Sequence, residues 1–467
     1  MTKRANGFLT RWIYLVPITI LVIMSAHIAL DTRFGFHPDE TIHVDGMQYF
    51  ESHWWPPPLN SDGLLYSPDG WSRVYNGELV YLIYGKVAAT LNSIIPKVLG
   101  TEICDKSIAV PSADLSPYHV FMPVIFLSKS SVRQYRIYRI LNVLLLNITL
   151  LSVFVCKPRT VWARILGLTL LCVPQVIYIY SYANSDAWGL SISIFFFLFI
   201  LTAKIETGSI RYAITAGVLV GLLLLSKETF WLSLSWGSVL AGAKYLEQTK
   251  NNASKLSFNQ GVIFFAVLAI IVFLIITPLK IIYPATQGDW HTKTEEMREI
   301  RSWNAYKPSN PIAAGYRLAT KNEPISTIMK NQYWFKTSMM SFYGLFSHMT
   351  IVLPSWIYIS ALSIALLNIA LTISTTWLKW SRLDLMTKVL VVFAPLSIFL
   401  NIAASVYNSW TYDFQPQGRY LFSSLIPFAI LLAGTVAVEN KWSIIFRMVS
   451  WLVGYALCLY VLATYAI

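Results

Sequence analysis

Residues 12–30 read WIYLVPITILVIMSAHIAL, and residues 31–46 read DTRFGFHPDETIHVDG. The first stretch has 19 residues and no Asp, Glu, Lys or Arg. As a helix rising about 1.5 Å per residue, it is long enough to cross a hydrocarbon layer of roughly 30 Å. The second stretch crowds Asp31, His37, Asp39, Glu40, His43 and Asp45 into 16 residues. An oily span that hands the chain directly to a titratable segment is the pattern of a membrane protein with polar chemistry at the membrane surface.

The rest of the chain repeats this alternation. Its 467 residues are 55% hydrophobic and 13% charged, with a mean hydropathy of +0.54, too apolar for a water-soluble globule of this length. Hydrocarbon offers backbone N–H and C=O groups no partner, so each apolar run of about 18 or more residues is expected to be a spanning helix. About eleven such runs lie near residues 12–30, 137–156, 165–181, 187–203, 210–226, 229–243, 260–282, 349–374, 388–406, 421–438 and 447–466. The pair on either side of Ser226 also reads as one bent element. The expected fold is an all-α polytopic membrane protein.

Lysine and arginine set the orientation. Lys3, Arg4 and Arg11 precede the first span. Further basic clusters fall in every other loop: Lys157, Arg159 and Arg164, then Lys204 and Arg211, then Lys244, Lys250 and Lys255, then Lys379, Arg382 and Lys388, then Lys441 and Arg447. That alternation places the N-terminus in the cytoplasm. It also accounts for most of the net charge of +13 and the pI near 9.4, so the basic balance implies topology and no nucleic-acid partner. The first span lacks a small-x-small cleavage site and is read as an uncleaved anchor.

Two large extracytoplasmic loops follow, over 31–134 and 283–348, within a single membrane domain of residues 1–467. In the first, Trp54 and Trp55 precede Pro56 to Pro58, a stiff aromatic segment suited to the interface belt, and residues 77–99 read as an amphipathic helix lying on the membrane. In the second, TEEMREIRSWNAYKPSNP at 294–311 is helix-like and then broken by prolines. Cys156, Cys172 and Cys458 fall in expected spans, which leaves Cys104 alone outside with no disulfide partner. No Cys or His spacing resembles a zinc site.

Polar chemistry gathers on the outer side. Pro38 followed by Asp39 and Glu40, with His43 one turn on, begins a helix with two carboxylates where the helix dipole favours their charged form. A solvated loop shows the same composition, but not the same placement beside a membrane. SYANSDAW at 181–188 offers Asn184 and Asp186 in a tight outer turn, and LLSKETFW at 224–231 offers Lys227 and Glu228 in the next. A lysine at a span end also snorkels to headgroups. YDFQPQGRYLFSSLIP at 412–427 brings Gln417, Arg419 and Tyr420 to the mouth of the tenth span, with Gly418 allowing close backbone approach to a ligand. An arginine entering hydrocarbon is a functional candidate by default; Arg139, at the outward start of the second span, is a weaker one.

Taken in order, P-D-E-x-x-H at 38–43, N-x-D at 184–186, Lys227, SFYGLF at 341–346 and QGRY at 417–420 resemble a family of bacterial membrane proteins of unassigned function within the GT-C superfamily of glycosyltransferases. The resemblance runs over essentially the whole chain; each motif is short, and their order and common side carry it. It implies a GT-C fold in the bacterial inner (plasma) membrane, and an enzyme similar to protein mannosyltransferases and lipid A aminoarabinose transferases. The implied donor is a polyprenyl-phosphate sugar, such as one on undecaprenyl phosphate. The implied residue serving the acceptor is Asp39, with Glu40 adjacent. The acceptor stays open among cell-envelope glycans (an O-antigen or another polysaccharide), lipids and proteins.

Physical chemistry agrees. Sugar nucleotides are cytosolic, so an outward-facing transferase needs a donor already carried across the membrane, and a sugar on a lipid monophosphate is one. Asp39 would take a proton from the acceptor hydroxyl as it attacks the anomeric carbon. Arg419 would bind the departing phosphate with its planar fork, helped by Lys227 and by Arg139. His43, Asn184, Asp186, Gln417 and Tyr420 would position substrate or support Asp39. Direct attack without an enzyme nucleophile inverts the anomeric centre. A divalent cation, Mg or Mn, shared by carboxylate and phosphate is compatible with these groups, but no spacing compels one. Two alternatives remain: a polysaccharide polymerase or ligase with a diphosphate-linked donor, and a lipid-linked sugar transporter or flippase, for which interrupted half-repeats and mid-membrane polar residues are expected. The transferase reading expects the Arg419 guanidinium and the Asp39 carboxylate to line one cavity at the outer membrane surface, close enough, about 10 Å or so, for a sugar phosphate to bridge them.

Overall fold

Where the chain is apolar it is helical, because only a helix satisfies its own backbone in lipid. A computed structural model describes residues 15–94, 129–154, 161–203, 209–251, 258–310, 317–330, 333–436 and 439–466. Cys104, Cys156 and the basic residues Lys3, Arg4, Arg11, Lys157, Arg159, Lys204 and Lys255, which entered the sequence reading, lie outside the described residues. So does residue 95 onward of the expected surface helix, with the following stretch to residue 128.

Among the described residues, six helices are long and apolar enough to cross a membrane: Tyr135–Phe154, Asn259–Thr286, Ser355–Arg382, Leu385–Thr411, Gly418–Val436 and Lys441–Tyr465. Leu15–Asp31, Asp186–Thr202 and Ile210–Leu224 are shorter apolar helices. Of the two remaining expected spans, one is broken and the other, 229–243, is shifted to a 19-residue helix, Ser233–Asn251. The run at 165–181 divides into Val161–Leu171 and Pro174–Ile179, since Pro174 has no N–H to continue a helix and a backbone suited to starting one. Around Ser226 there are two helices, Ile210–Leu224 and Ser233–Asn251, with a 3-10 turn, Glu228–Phe230, between them.

Helix Asp186–Thr202 is apolar on all sides and buried over most of its length, so it forms the centre of the bundle with Leu425–Val436. Phe258–Ile276 lies outermost, exposing Phe265, Ile270, Phe273 and Leu274. It packs on Ile210–Leu224 through Gly217 and Gly221, where a Cβ would come within 2.8 Å of Ile271 and of Ile275. Small residues four apart allow two helices to approach this closely without a hydrophobic driving force in lipid.

The two large loops cover one end of the bundle as a common layer. Helix Leu79–Ile94, expected to lie on the membrane, packs one face on Glu40–Ser52, burying Val80, Tyr81 and Tyr84 against Val44, Met47 and Phe50. In the second loop, helix Trp290–Arg301 gives way to a 3-10 turn, Asn304–Tyr306. The loops are joined by the Trp303 N–H donating to the Pro68 carbonyl at 3.0 Å. The Arg298 guanidinium also lies 5.3 Å from the Trp71 ring and 5.0 Å from the Tyr412 ring.

Candidate active site

Asp39 sits at the N-cap of helix Glu40–Ser52 in the left-handed region, φ 57° and ψ 6°. Asp is one of the few side chains that tolerate this backbone, and such strain concentrates at functional positions. The carboxylate does not cap its own helix. It turns to Arg419, whose Nη2 donates to Asp39 Oδ2 at 2.9 Å, while Arg73 Nη2 stands 3.8 Å from the same oxygen.

Arg419 enters from the 3-10 segment Gly418–Ser424 and is almost wholly buried. Its Nε donates to Gln417 Oε1 at 2.6 Å and lies 3.6 Å from Asp186 Oδ2, and its Nη1 reaches the Tyr182 hydroxyl at 3.3 Å. Lys227 donates to Asp186 Oδ1 at 2.8 Å, with its ammonium 4.6 Å from the Tyr420 ring centre. Asp186 opens the central helix, placed there by Asn184, whose Oδ1 accepts the Ala187 N–H and whose Nδ2 donates to the Ile179 and Tyr182 carbonyls. Asp39, Asp186, Lys227, Gln417, Arg419 and Tyr420, six of the ten residues singled out in sequence, thus meet in one cluster, with Asn184 building its turn.

Glu40 and Arg139 stand apart. Arg139 Nε and Nη2 donate to the Glu40 carboxylate at 2.6 and 2.7 Å, and its remaining donors go to Thr32 Oγ1 and to the carbonyls of Ala29, Thr32 and Arg33. Both side chains are fully buried. Arg139, expected to bind phosphate, and Glu40, expected beside the base, are thus paired with each other, and their pairing locks the start of helix Glu40–Ser52 to the bundle. His43 is buried too, its Nδ1 2.8 Å from the Tyr81 hydroxyl.

The Asp39–Arg419 contact is direct, within the reach of about 10 Å expected of a bridging sugar phosphate. Gly418 is required by the protein itself: a Cβ there would lie 1.9 Å from the Phe342 backbone nitrogen, so the small residue serves packing against helix Trp334–Tyr343.

Burial alone would raise the Asp39 carboxyl, but Arg419 and then Arg73 hold it well below the usual carboxylate range. Burial, with Arg73 adding to it, lowers His43 and keeps it neutral. Asp413, near the cluster, is pushed up to about 6 by burial despite the bond from Gln415. Among the described residues no group of three or more His, Cys, Asp or Glu is gathered to hold a metal ion.

Sequence reasoning missed Arg73, Tyr182 and His37. His37 stacks on Tyr182, ring centres 4.6 Å apart, and its Nδ1 is 2.7 Å from the Tyr178 hydroxyl, which in turn accepts the Ser347 N–H at 3.0 Å. Residue type offered a signal only for His37, in the crowded loop; Arg73 and Tyr182 carry none without the fold.

No family model matches the sequence, and no curated protein matches it. Among solved structures the chain is similar to ArnT from Cupriavidus metallidurans bound to undecaprenyl phosphate, at 10% identity and a TM-score of 0.44, covering 95% of this chain and 63% of that one. It is also similar to the oligosaccharyltransferase of Archaeoglobus fulgidus in the apo form, at 11% identity and a TM-score of 0.46, covering 98% and 57%. The chain therefore spans less than two thirds of the length of either protein. Likeness at these scores is loose, and the functional reading rests on the chain's own residues.

Proposed function

We propose that this protein is an inverting glycosyltransferase of the GT-C type, moving a sugar from a polyprenyl-phosphate donor to a glycan, lipid or protein hydroxyl at the outer face of a bacterial inner membrane. The observation that carries the reading is the cluster in which three cations, Arg73, Lys227 and Arg419, stand within 4 Å of two carboxylates, Asp39 and Asp186, at one end of an apolar bundle. An excess of positive charge beside a single partly exposed carboxylate suits a lipid phosphate and an acceptor hydroxyl meeting at headgroup depth.

Asp186 is fully buried and paired, and so is a holder of Lys227 and Arg419. Asp39 is 28% exposed and is the available base. As phosphate oxygens draw Arg419 toward the donor, the Asp39 carboxylate is freed to take the acceptor proton while the hydroxyl oxygen attacks the anomeric carbon from the face opposite the phosphate. The departing phosphate carries the bonding pair, and Arg419 and Lys227 neutralise it. Gln417 fixes the Arg419 fork, and Tyr420 the Lys227 ammonium. Both carboxylates face guanidinium or ammonium groups, a set that disfavours a divalent cation, so no step is routed through Mg or Mn.

Asp39→Asn keeps shape and removes basicity. Cells in which this variant replaces the native protein should make the transferred envelope product at a level lower by about 10²-fold or more, with expression unchanged. The measurement is mass spectrometry of envelope glycans and glycosylated lipids and proteins; parental product levels would remove Asp39 from the reaction.

A further inference from the structure

Resting on that reading, we infer that Arg73 is a second arginine ligand of the donor phosphate, beside Lys227, moving from Asp39 to that anion together with Arg419. Its stem is held and its head is not. Arg73 opens the 3-10 turn Arg73–Asn76, and a Cβ on Gly46 would come within 3.2 Å of its own Cβ and 3.3 Å of the Tyr81 ring, so a glycine in helix Glu40–Ser52 leaves room for this side chain. The guanidinium, by contrast, is unbonded at its inner edge: Nε is buried without a hydrogen-bond partner. Its Nη2 lies 3.8 Å from Asp39 Oδ2, too long for a hydrogen bond, on an oxygen that Arg419 already holds at 2.9 Å.

A buried donor of an arginine left without an acceptor is unfavourable and needs an explanation. Among the described residues neither of the other carboxylates near it forms an ion pair with Arg73: Glu78 Oε1 accepts from Asn76 at 2.8 Å while its buried Oε2 has no hydrogen-bond partner, and Asp69 accepts from Ser67 and, at 2.6 Å, from the Tyr412 hydroxyl. Asp39 offers the two arginines one shared oxygen. A phosphate offers several, at spacings that match two guanidinium forks at once. When both arginines turn to the phosphate, Asp39 Oδ2 loses its partners and becomes free to accept from a hydroxyl. Only hydrogen bonds and ion pairs are exchanged in this step.

The test uses the full-length protein in detergent and two probes that share a chain and differ in the head, undecaprenyl phosphate and undecaprenol, with binding followed by native mass spectrometry. The parent should prefer the phosphate form by at least about tenfold, and Arg73→Gln should reduce that preference by about tenfold while undecaprenol binding is unchanged. Arg73→Lys keeps the charge without the fork and should lose about threefold, which keeps the test open if the neutral variant does not fold. Full preference in Arg73→Gln, or in Arg73→Lys where the neutral variant does not fold, overturns the inference alone. A parent that binds both lipids equally overturns the phosphate reading and the inference with it.

Discussion

Asp39, the N-cap of helix Glu40–Ser52, and Asp45, within that helix, are six residues apart, yet their surroundings move them in opposite directions. Two arginines hold Asp39 low. Among the described residues no cation stands beside Asp45: burial pushes it up to about 6 from 3.8, offset in part by the Leu65 N–H that it accepts at 3.0 Å. A carboxyl raised on folding loses stability as pH climbs from its unfolded value through its folded one, because the folded state resists giving up the proton. Asp45→Asn keeps the acceptor and removes the titration. The variant should match the parent near pH 4 and be more stable by about 2 kcal/mol above pH 7, read as thermal unfolding in detergent at several pH values. A pH-independent difference would mean that the Asn changes packing instead. At this scale the sequence is informative where residue type and position coincide: Asp39, Asp186 and Arg419 are legible because charge at a span end is conspicuous. Arg73 is not, since it lies 34 residues beyond Asp39 in an aromatic loop and meets it only through the packing of Glu40–Ser52 on that turn.

Elements are legible as helices and less legible in what they touch. The apolar face of Leu79–Ile94 is written in its sequence, but a bilayer and a second helix present the same apolar surface to it, so periodicity does not distinguish them. The break at Pro174 is similar: hydropathy runs through it, and only the missing N–H ends one helix and starts another. Glycines divide sharply once contacts are known. Gly221 faces Ile275 at 2.8 Å, whereas Gly242, in helix Ser233–Asn251, has nothing within 4 Å of an added Cβ. Gly221→Ala should therefore destabilise the protein by about 1–3 kcal/mol through forced separation of two helices. Gly242→Ala should be neutral or stabilising by about 0.5–1 kcal/mol from helix propensity. Thermal unfolding of both variants in one detergent checks the pair, and equal shifts would deny that Ile210–Leu224 and Phe258–Ile276 depend on close approach.

For the whole molecule the decisive property is sidedness. Basic residues in alternate loops set only an expected orientation, and the fold adds a constraint that the sequence lacks: the two large loops form one layer. Arg301 of the second loop donates to Asp62 of the first at 2.7 Å, and the Gln287 side chain accepts the Leu59 N–H at 3.0 Å. Whatever side of the membrane one loop occupies, the other must share it. In a cysteine-free background, single cysteines at His53 and His291, both exposed, report the two loops, and one at Lys441, exposed as the first residue of the last helix, reports the opposite end. An impermeant maleimide applied to spheroplasts should label the first two positions to similar extents and leave the third protected until the membrane is permeabilised. Labelling of Lys441→Cys alone would invert the orientation and place the Asp39–Arg419 cluster in the cytoplasm, where nucleotide sugars are available and a lipid-phosphate donor loses its rationale. Labelling of only one loop would contradict the packed layer itself, because Arg298 cannot lie between Trp71 and Tyr412 with a membrane separating their segments.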